Sequence, residues 1–392
     1  MIYLDNAATT QMHEYVVREM LPYLYGDYGN PGAIYKMGRT AQEAVRKARK
    51  QVADFLHTTP EHIVFTSGGS EGNNMVLRGL ADHLKENGKT TIVTTPIEHS
   101  SVLRVMDYLI KLGFDIRYLP VSTGGSVDIS HIEDYIDDTV GLFSVMYVNN
   151  ETGAVNQIKE IAQVCDAHGI LFHSDCVQAA AAFDIDVEDI GVDFITMSAH
   201  KIHGPKGVGA IYIRDLRDTP YITPLVIGGK EQEGGLRGGT ENVPGIVGFG
   251  KACELMKPPE KFRSLFLYEL SAALADLNPA KFAGIYVNGT GNIANTILNI
   301  EVQGVDAETL ILLMDVNGVA VSAGSACHSH SIEPSHVLKA MGLSDSEARS
   351  SVRISASSFQ TEKDIVDAAH IMAQCICKLV NLNAEHETQE ET

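Results

Sequence analysis

The sequence predicts an α/β protein: a mostly parallel sheet covered by helices on both faces, followed by a smaller C-terminal α/β unit. Three observations carry this prediction. Short apolar runs alternate with segments of helical period. Polar, glycine-rich segments stand at the carboxyl ends of those runs. A glycine- and proline-rich stretch from Pro220 to Gly250 separates the alternating region from a second unit.

The candidate strands are Ile63–Thr66, Thr91–Thr95, Asp115–Leu119, Val140–Val148, Gly169–Asp175, Asp193–Ser198 and Gly207–Ile213. They make a seven-stranded sheet. The last follows its predecessor with little room for a helix, which leaves a place for one antiparallel member. Helices are expected over Arg39–His57, Glu71–Glu86, Ser100–Leu112, His131–Asp137 and Gln157–His168. The first carries Ala41, Ala44, Val45, Ala48, Val52, Phe55 and Leu56 on one face. Residues 13–250 are expected to form the large domain. Residues 1–12 join 251–392 in the small one.

The chain has 392 residues, of which 44% are hydrophobic and 20% charged, ample for a large core. Its net charge of −20 repels nucleic acid and anionic membrane, so neither is an expected partner. The opening MIYLDNAATT has no basic segment followed by an apolar one, so no secretory signal is expected. No apolar run is read as approaching the ~20 residues of a membrane span. The cytoplasm is the expected location. The six cysteines, at 165, 176, 253, 327, 375 and 377, are expected as thiols. Cys375 and Cys377 lie two apart on a helical stretch and read as packed thiols. The polar, acidic end from Asn383 to Thr392 reads as a frayed tail.

Six segments could carry chemistry. Ser67-Gly68-Gly69-Ser70-Glu71-Gly72 follows a strand and opens a helix, where free N–H groups and a positive dipole end suit a phosphate. Alone, it is more simply a glycine-rich turn. In His173-Ser174-Asp175-Cys176-Val177-Gln178, Asp175 ends a strand and could pair with a protonated ring nitrogen, or serve as a helix cap. Gln178 would face the same ligand. In Ser198-Ala199-His200-Lys201, a partly dehydrated Lys201 could form a Schiff base with an aldehyde, while Ser198 and His200 reach a phosphate. A phosphate cradle, a carboxylate and an amine together are what pyridoxal phosphate needs. His99 could stack on a flat cofactor and move protons. Asn150 supplies an amide. Ser322-Ala323-Gly324-Ser325-Ala326-Cys327-His328-Ser329-His330 places a thiol beside two histidines after five small residues, suiting a nucleophile on a mobile loop. Metal binding by Cys-His-x-His is not expected, because so few ligands on such a loop make no rigid site.

These segments resemble a known family. YLDNAATT at 3–10, YGNP at 28–31, TSGGSEGNN at 66–74, EH at 98–99, VNNETG at 148–153, HSDCVQ at 173–178, SAHKIHGPKGVGA at 198–210, LRGGTEN at 236–242 and SAGSACHS at 322–329 run in the order of the class V, fold-type I pyridoxal-phosphate enzymes. Within them the chain resembles NifS/IscS-type cysteine desulfurases. The resemblance implies that Lys201 holds the cofactor, Asp175 pairs with its ring nitrogen, Gln178 bonds its ring hydroxyl and His99 stacks on it and assists proton transfer. Gly69, Ser70, Ser198 and His200 would bind its phosphate. Thr240 would reach the phosphate of a neighbouring subunit, implying a homodimer. Asn150 would touch cofactor or substrate, and Arg353 would bind the cysteine carboxylate through a fork. Cys327 would attack the substrate sulfur and keep it as a persulfide, releasing alanine. An iron–sulfur scaffold or another sulfur-acceptor protein would take it onward. The rival readings are a selenocysteine lyase, another class V enzyme such as an aminotransferase, and a non-catalytic sulfur-relay subunit.

Overall fold

The structure is a computed structural model that describes residues 1–215, 221–259, 261–277, 284–324 and 334–390. Cys327 lies outside the described residues, as does His328. The large sheet contains β2 (Ile63–Thr66), β3 (Thr91–Thr94), β4 (Asp115–Tyr118), β5 (Val140–Ser144), β6 (Leu171–Asp175), β7 (Phe194–Ser198) and β8 (Gly209–Ile213), after the short β1 (Ile2–Tyr3). Their order is β2-β8-β7-β6-β5-β3-β4. All run one way except β8, which opposes both its neighbours. This is the antiparallel member that the short connection before Gly207 foreshadows.

Strand side chains alternate between two cores. Ile63 and Phe65 enter one, Val64 the other; Met197 and Ala210 enter the first, Phe194 and Ile211 the second. With both faces buried, β5 and β7 are largely apolar until their last residue, as parallel strands in such sheets are, while β6 turns polar earlier, at His173, Ser174 and Asp175. Helices Lys36–Phe55, Ile158–His168 and Val243–Leu255 fill the first core, and Gly69–Gly79 and Ser100–Lys111 the second. Helix Ile158–His168 stops at Gly169, whose φ of 62° satisfies the last turn in a conformation glycine adopts without strain.

The remaining strands are β9 (Ile285–Asn288), β10 (Ile297–Val302), β11 (Val319–Ala320) and β12 (Ser351–Ser355). β9, β10 and β12 form an antiparallel sheet, and β1 pairs in parallel with β11. A separate core joins Leu4 to residues between Phe262 and Val380. Yet Val337, Leu338 and Met341 pack into the first core of the large sheet, so the chain's later part leans on the earlier one.

Three elements depart from expectation. The stretch Glu71–Glu86 is two helices, Gly69–Gly79 and Ala81–Glu86, because the Gly79 carbonyl accepts from Thr223 N–H. His131–Asp137 holds only a 3-10 turn, Ile132–Tyr135, and Asp137 instead turns the chain by accepting from Thr139 N–H and O–H. Residues 383–390 of the stretch read as a frayed tail lie in helix Glu362–Glu390. Its part Glu362–Leu382 is long and apolar enough to cross a membrane, which the sequence reading missed. Ala368, Ala369, Met372, Ala373 and Ile376 bury its apolar face in the core shared with Phe266 and Leu270, so this is a core helix.

Helix Gly69–Gly79 lies unusually close to the sheet. A Cβ on Gly72 would stand 2.7 Å from Thr196 Cγ2 and 2.9 Å from Ile211 Cγ2. Gly72→Val should therefore cost about 1–3 kcal/mol through overpacking. Denaturant unfolding should show a lower midpoint with an unchanged slope; an unaltered midpoint would show that the helix can lift off the sheet freely.

Candidate active site

Strand ends bring the site together. β2 leads into Gly68 and Gly69, β3 into Glu98 and His99, β5 into Asn150, β6 into Asp175, and β7 into Ser198 and Lys201. One cavity of about 280 Å³ is lined by Gly69, Ser70, His99, Asn150, Asp175 and Gln178, and also by Ser198, His200, Lys201 and Arg353. Ten of the twelve residues singled out in the sequence thus share one cavity. Thr240 is exposed and does not line it, and Cys327 lies outside the described residues.

At one end stands the opening turn of helix Gly69–Gly79. Gly68 has φ 149°, a conformation that favours glycine, and stands at the N-cap of the helix, whose first N–H groups have no partner within the helix. A Cβ there would come 3.7 Å from Ser198 Oγ, so the missing side chain keeps a concavity open between turn and hydroxyl. Ser70 and His200 complete that end. Deeper in, Asp175 is buried; its Oδ1 accepts from Val177 N–H at 3.0 Å and its Oδ2 from Asn73 Nδ2 at 2.7 Å. Lys201 Nζ donates to the carbonyls of Ala7 and Ala8 at 2.5 and 2.8 Å. Gln178 Nε2 donates to the same Ala7 carbonyl at 2.8 Å.

Arg353 closes the cavity from β12. Its guanidinium is 2% exposed, donates to Asp5 Oδ1 at 2.8 Å and to the Asn150 carbonyl at 2.9 Å, and leaves Nε without a partner. A buried cation with one unmatched donor suits a carboxylate ligand. The two described ends of the 325–333 segment are tied beside the cavity. Ser322 and Arg353 exchange backbone hydrogen bonds, and Ser335 Oγ donates to Glu151 Oε2. His336 Nε2 bonds the Glu98 carbonyl at 3.0 Å.

Burial sets the protonation of the surrounding groups. Glu98 accepts from Met146 N–H and Thr95 O–H through Oε1, while Oε2 has no partner; burial raises its pKa to about 8. Burial lowers His173 to about 4 and, with a lesser push from Lys201, His200 to about 4. It lowers His99 as well, against the opposing pull of Asp175. The five described cysteines are free thiols, and burial raises them all, the least accessible most, so none offers a ready thiolate.

Sequence reading missed Asp5, Ala7 and Ala8, Asn73, Ser101 and Glu98 as parts of this site. Backbone carbonyls carry no side-chain signature. Asn73 sits within a quoted motif but mid-helix, and Ser101 in the first turn of helix Ser100–Lys111, where such residues are ordinary. The anion-binding turn, the amine and the buried carboxylate together fit pyridoxal phosphate.

The sequence model of the family described as aminotransferase class-V matches residues 2–367. A relative from Methanosarcina thermophila named cysteine desulfurase IscS is 39% identical over 384 residues, 97% of this chain and 93% of its own. Among solved structures, a NifS-like protein superposes with a TM-score of 0.84 at 34% identity, covering 95% of this chain and 98% of its own. The structure described as SspA in complex with cysteine gives a TM-score of 0.82 at 35% identity, covering 92% of this chain and 100% of its own.

The raised pKa of Glu98 has a consequence for stability. The folded protein holds a proton that the unfolded chain releases above about pH 4.5, so this contribution is complete below that pH and is lost as pH rises to about 8. The lowered histidines act in the opposite sense and only below about pH 6.5. Between about pH 7 and 8 the protein should lose roughly 1 kcal/mol from Glu98 alone. Thermal unfolding of Glu98→Gln should lack that slope, and equal slopes in both proteins would refute the assignment.

Proposed function

The chain belongs to the class-V aminotransferase family, and we propose that it is a cysteine desulfurase that moves sulfur from L-cysteine to Cys327. The supporting observation is that residues from seven separate sequence segments line one cavity. The family uses pyridoxal phosphate. When bound, that group supplies an aldehyde for amine capture and a ring that draws electrons from the substrate Cα.

In this reading Lys201 would hold the aldehyde, and Gly69, Ser70, Ser198 and His200 would hold the phosphate. Asp175 would pair with the ring nitrogen, Gln178 would bond the ring hydroxyl and His99 would stack on the ring. Asn150 touches cofactor or substrate. Arg353, which lines the cavity, would receive the cysteine carboxylate. Lys201 Nζ takes the Cα proton of the bound amino acid. The Cys327 thiolate attacks the substrate sulfur. An S–S bond forms, the substrate C–S bond is replaced by C–H, and alanine leaves. L-Cysteine plus a thiol thus gives L-alanine plus a persulfide, with no external oxidant.

Residues 13–250 would form the cofactor-binding domain, and 1–12 with 251–392 the small domain. The chain would act as a homodimer in the cytoplasm, Thr240 reaching the partner's phosphate; its exposure suits that role. The persulfide would pass to a sulfur-acceptor protein such as an iron–sulfur scaffold.

Cys327→Ser should reduce alanine release from cysteine at least 100-fold while keeping the cofactor's visible absorption, and mass measurement should lose the 32 Da persulfide on that peptide. Unchanged turnover would overturn the role of Cys327. Turnover of selenocysteine alone would make the protein a selenocysteine lyase.

A further inference from the structure

Asn73 belongs to helix Gly69–Gly79, is fully buried, and uses its amide nitrogen twice. Nδ2 donates to Ser101 Oγ at 2.8 Å and to Asp175 Oδ2 at 2.7 Å. The flipped amide would turn Oδ1 toward an aspartate oxygen, so this orientation is fixed by its neighbours. Ser101 in turn meets His99 Nδ1 twice: its backbone N–H donates to that nitrogen at 3.1 Å, and its hydroxyl stands 2.8 Å away. A ring nitrogen that accepts a backbone N–H carries no proton of its own. The Ser101 oxygen already accepts from Asn73, which leaves the hydroxyl proton to point at Nδ1. Every hydrogen bond in the chain therefore has a set direction, from Asn73 to Ser101 to His99, and from Asn73 to Asp175.

We infer that Asn73 and Ser101 are positioning residues. They lock His99 with its proton on Nε2 and tie that lock to Asp175, so that His99 meets the cavity as a hydrogen-bond donor and not as a base. Burial depresses the His99 pKa, which agrees with a neutral ring. Protonation at Nδ1 would break the bond from Ser101 N–H and oppose the serine O–H. A neutral imidazole that polarises by donation is a known catalytic device. The consequence for catalysis rests on the proposed desulfurase reading: removal of the substrate proton falls to Lys201 and is not shared with His99. The lock itself does not depend on that reading.

The test uses the full-length protein carrying bound cofactor. Long-range 1H–15N spectra of histidine-labelled protein at about pH 7.5 should show His99, assigned by its loss in His99→Asn, as the Nε2–H tautomer. Ser101→Ala should shift His99 toward the average of mixed tautomers and slow alanine release roughly tenfold, whereas Ser101→Thr should restore both. Asn73→Ala should reproduce the spectral change; should it fail to fold, the serine pair still decides. An Nδ1–H tautomer in the wild type, or a His99 spectrum unmoved by Ser101→Ala, would overturn the bridge. A locked His99 in a protein that releases no alanine would instead sink the desulfurase reading and leave the bridge standing.

Discussion

The hold of residues 3–10 on the two sheets is the constraint from which the site follows. β1 pairs with β11, and the chain then runs along β12: Asn6 N–H donates to the Ser355 carbonyl and Ala7 N–H to Ser355 Oγ. It next crosses to the large sheet, where Thr10 and His200 are joined through backbone and hydroxyl, and His203 N–H donates to Thr10 Oγ1. Between these two anchorages lie the carbonyls of Ala7 and Ala8 that receive Lys201 and Gln178. A strap fastened at both ends fixes its middle, and so fixes the amine and amide that the cavity presents. Chain connectivity makes this possible: residues at the N-terminus are the ones that span both sheets.

Buried charge would make such a site expensive, and the structure limits it. Glu98, His173 and His200 are held neutral near pH 7 by their surroundings. Arg353 is matched by Asp5 at 2.8 Å, with the arginine side chain 2% exposed. Leaving either member alone would strand a charge away from water, at a cost of several kcal/mol. Behind the charged Asp175, Lys201 and Arg353 that line the cavity, Glu98 and His173 thus add no further charge near pH 7.

The sequence made the strand ends legible because parallel strands buried on both faces are apolar until they emerge, so each polar cluster after an apolar run marks the same edge of the sheet. That logic located Ser70, His99, Asn150, Asp175 and Lys201. It had no grip on Ala7 and Ala8, which act through backbone carbonyls, or on Asn73, which is one more polar residue in a helix until its two partners are known. Breaks such as that at Leu80 depend on a contact from Thr223, far along the chain. The apolar stretch in Glu362–Leu382 escaped because Lys363, Asp364, Asp367 and His370 interrupt it, although its buried face is continuous.

The described residues on either side of 325–333 are both tied to the surroundings of the cavity. One end leaves from Ser322, bonded to the arginine that lines the cavity; the other returns at Ser335 and His336, bonded to Glu151 and Glu98, which neighbour Asn150 and His99. Both ends are therefore fastened to residues adjoining the cavity wall. Cys327 stands three residues beyond Gly324 in the sequence, and three residues span at most about 11 Å. A Cβ on Gly324 would itself stand 2.9 Å from Glu151 Oε2. Chain length therefore limits how far Cys327 can lie from Gly324, and in the proposed reading it is this limit that would let a thiol from a separate segment serve the substrate.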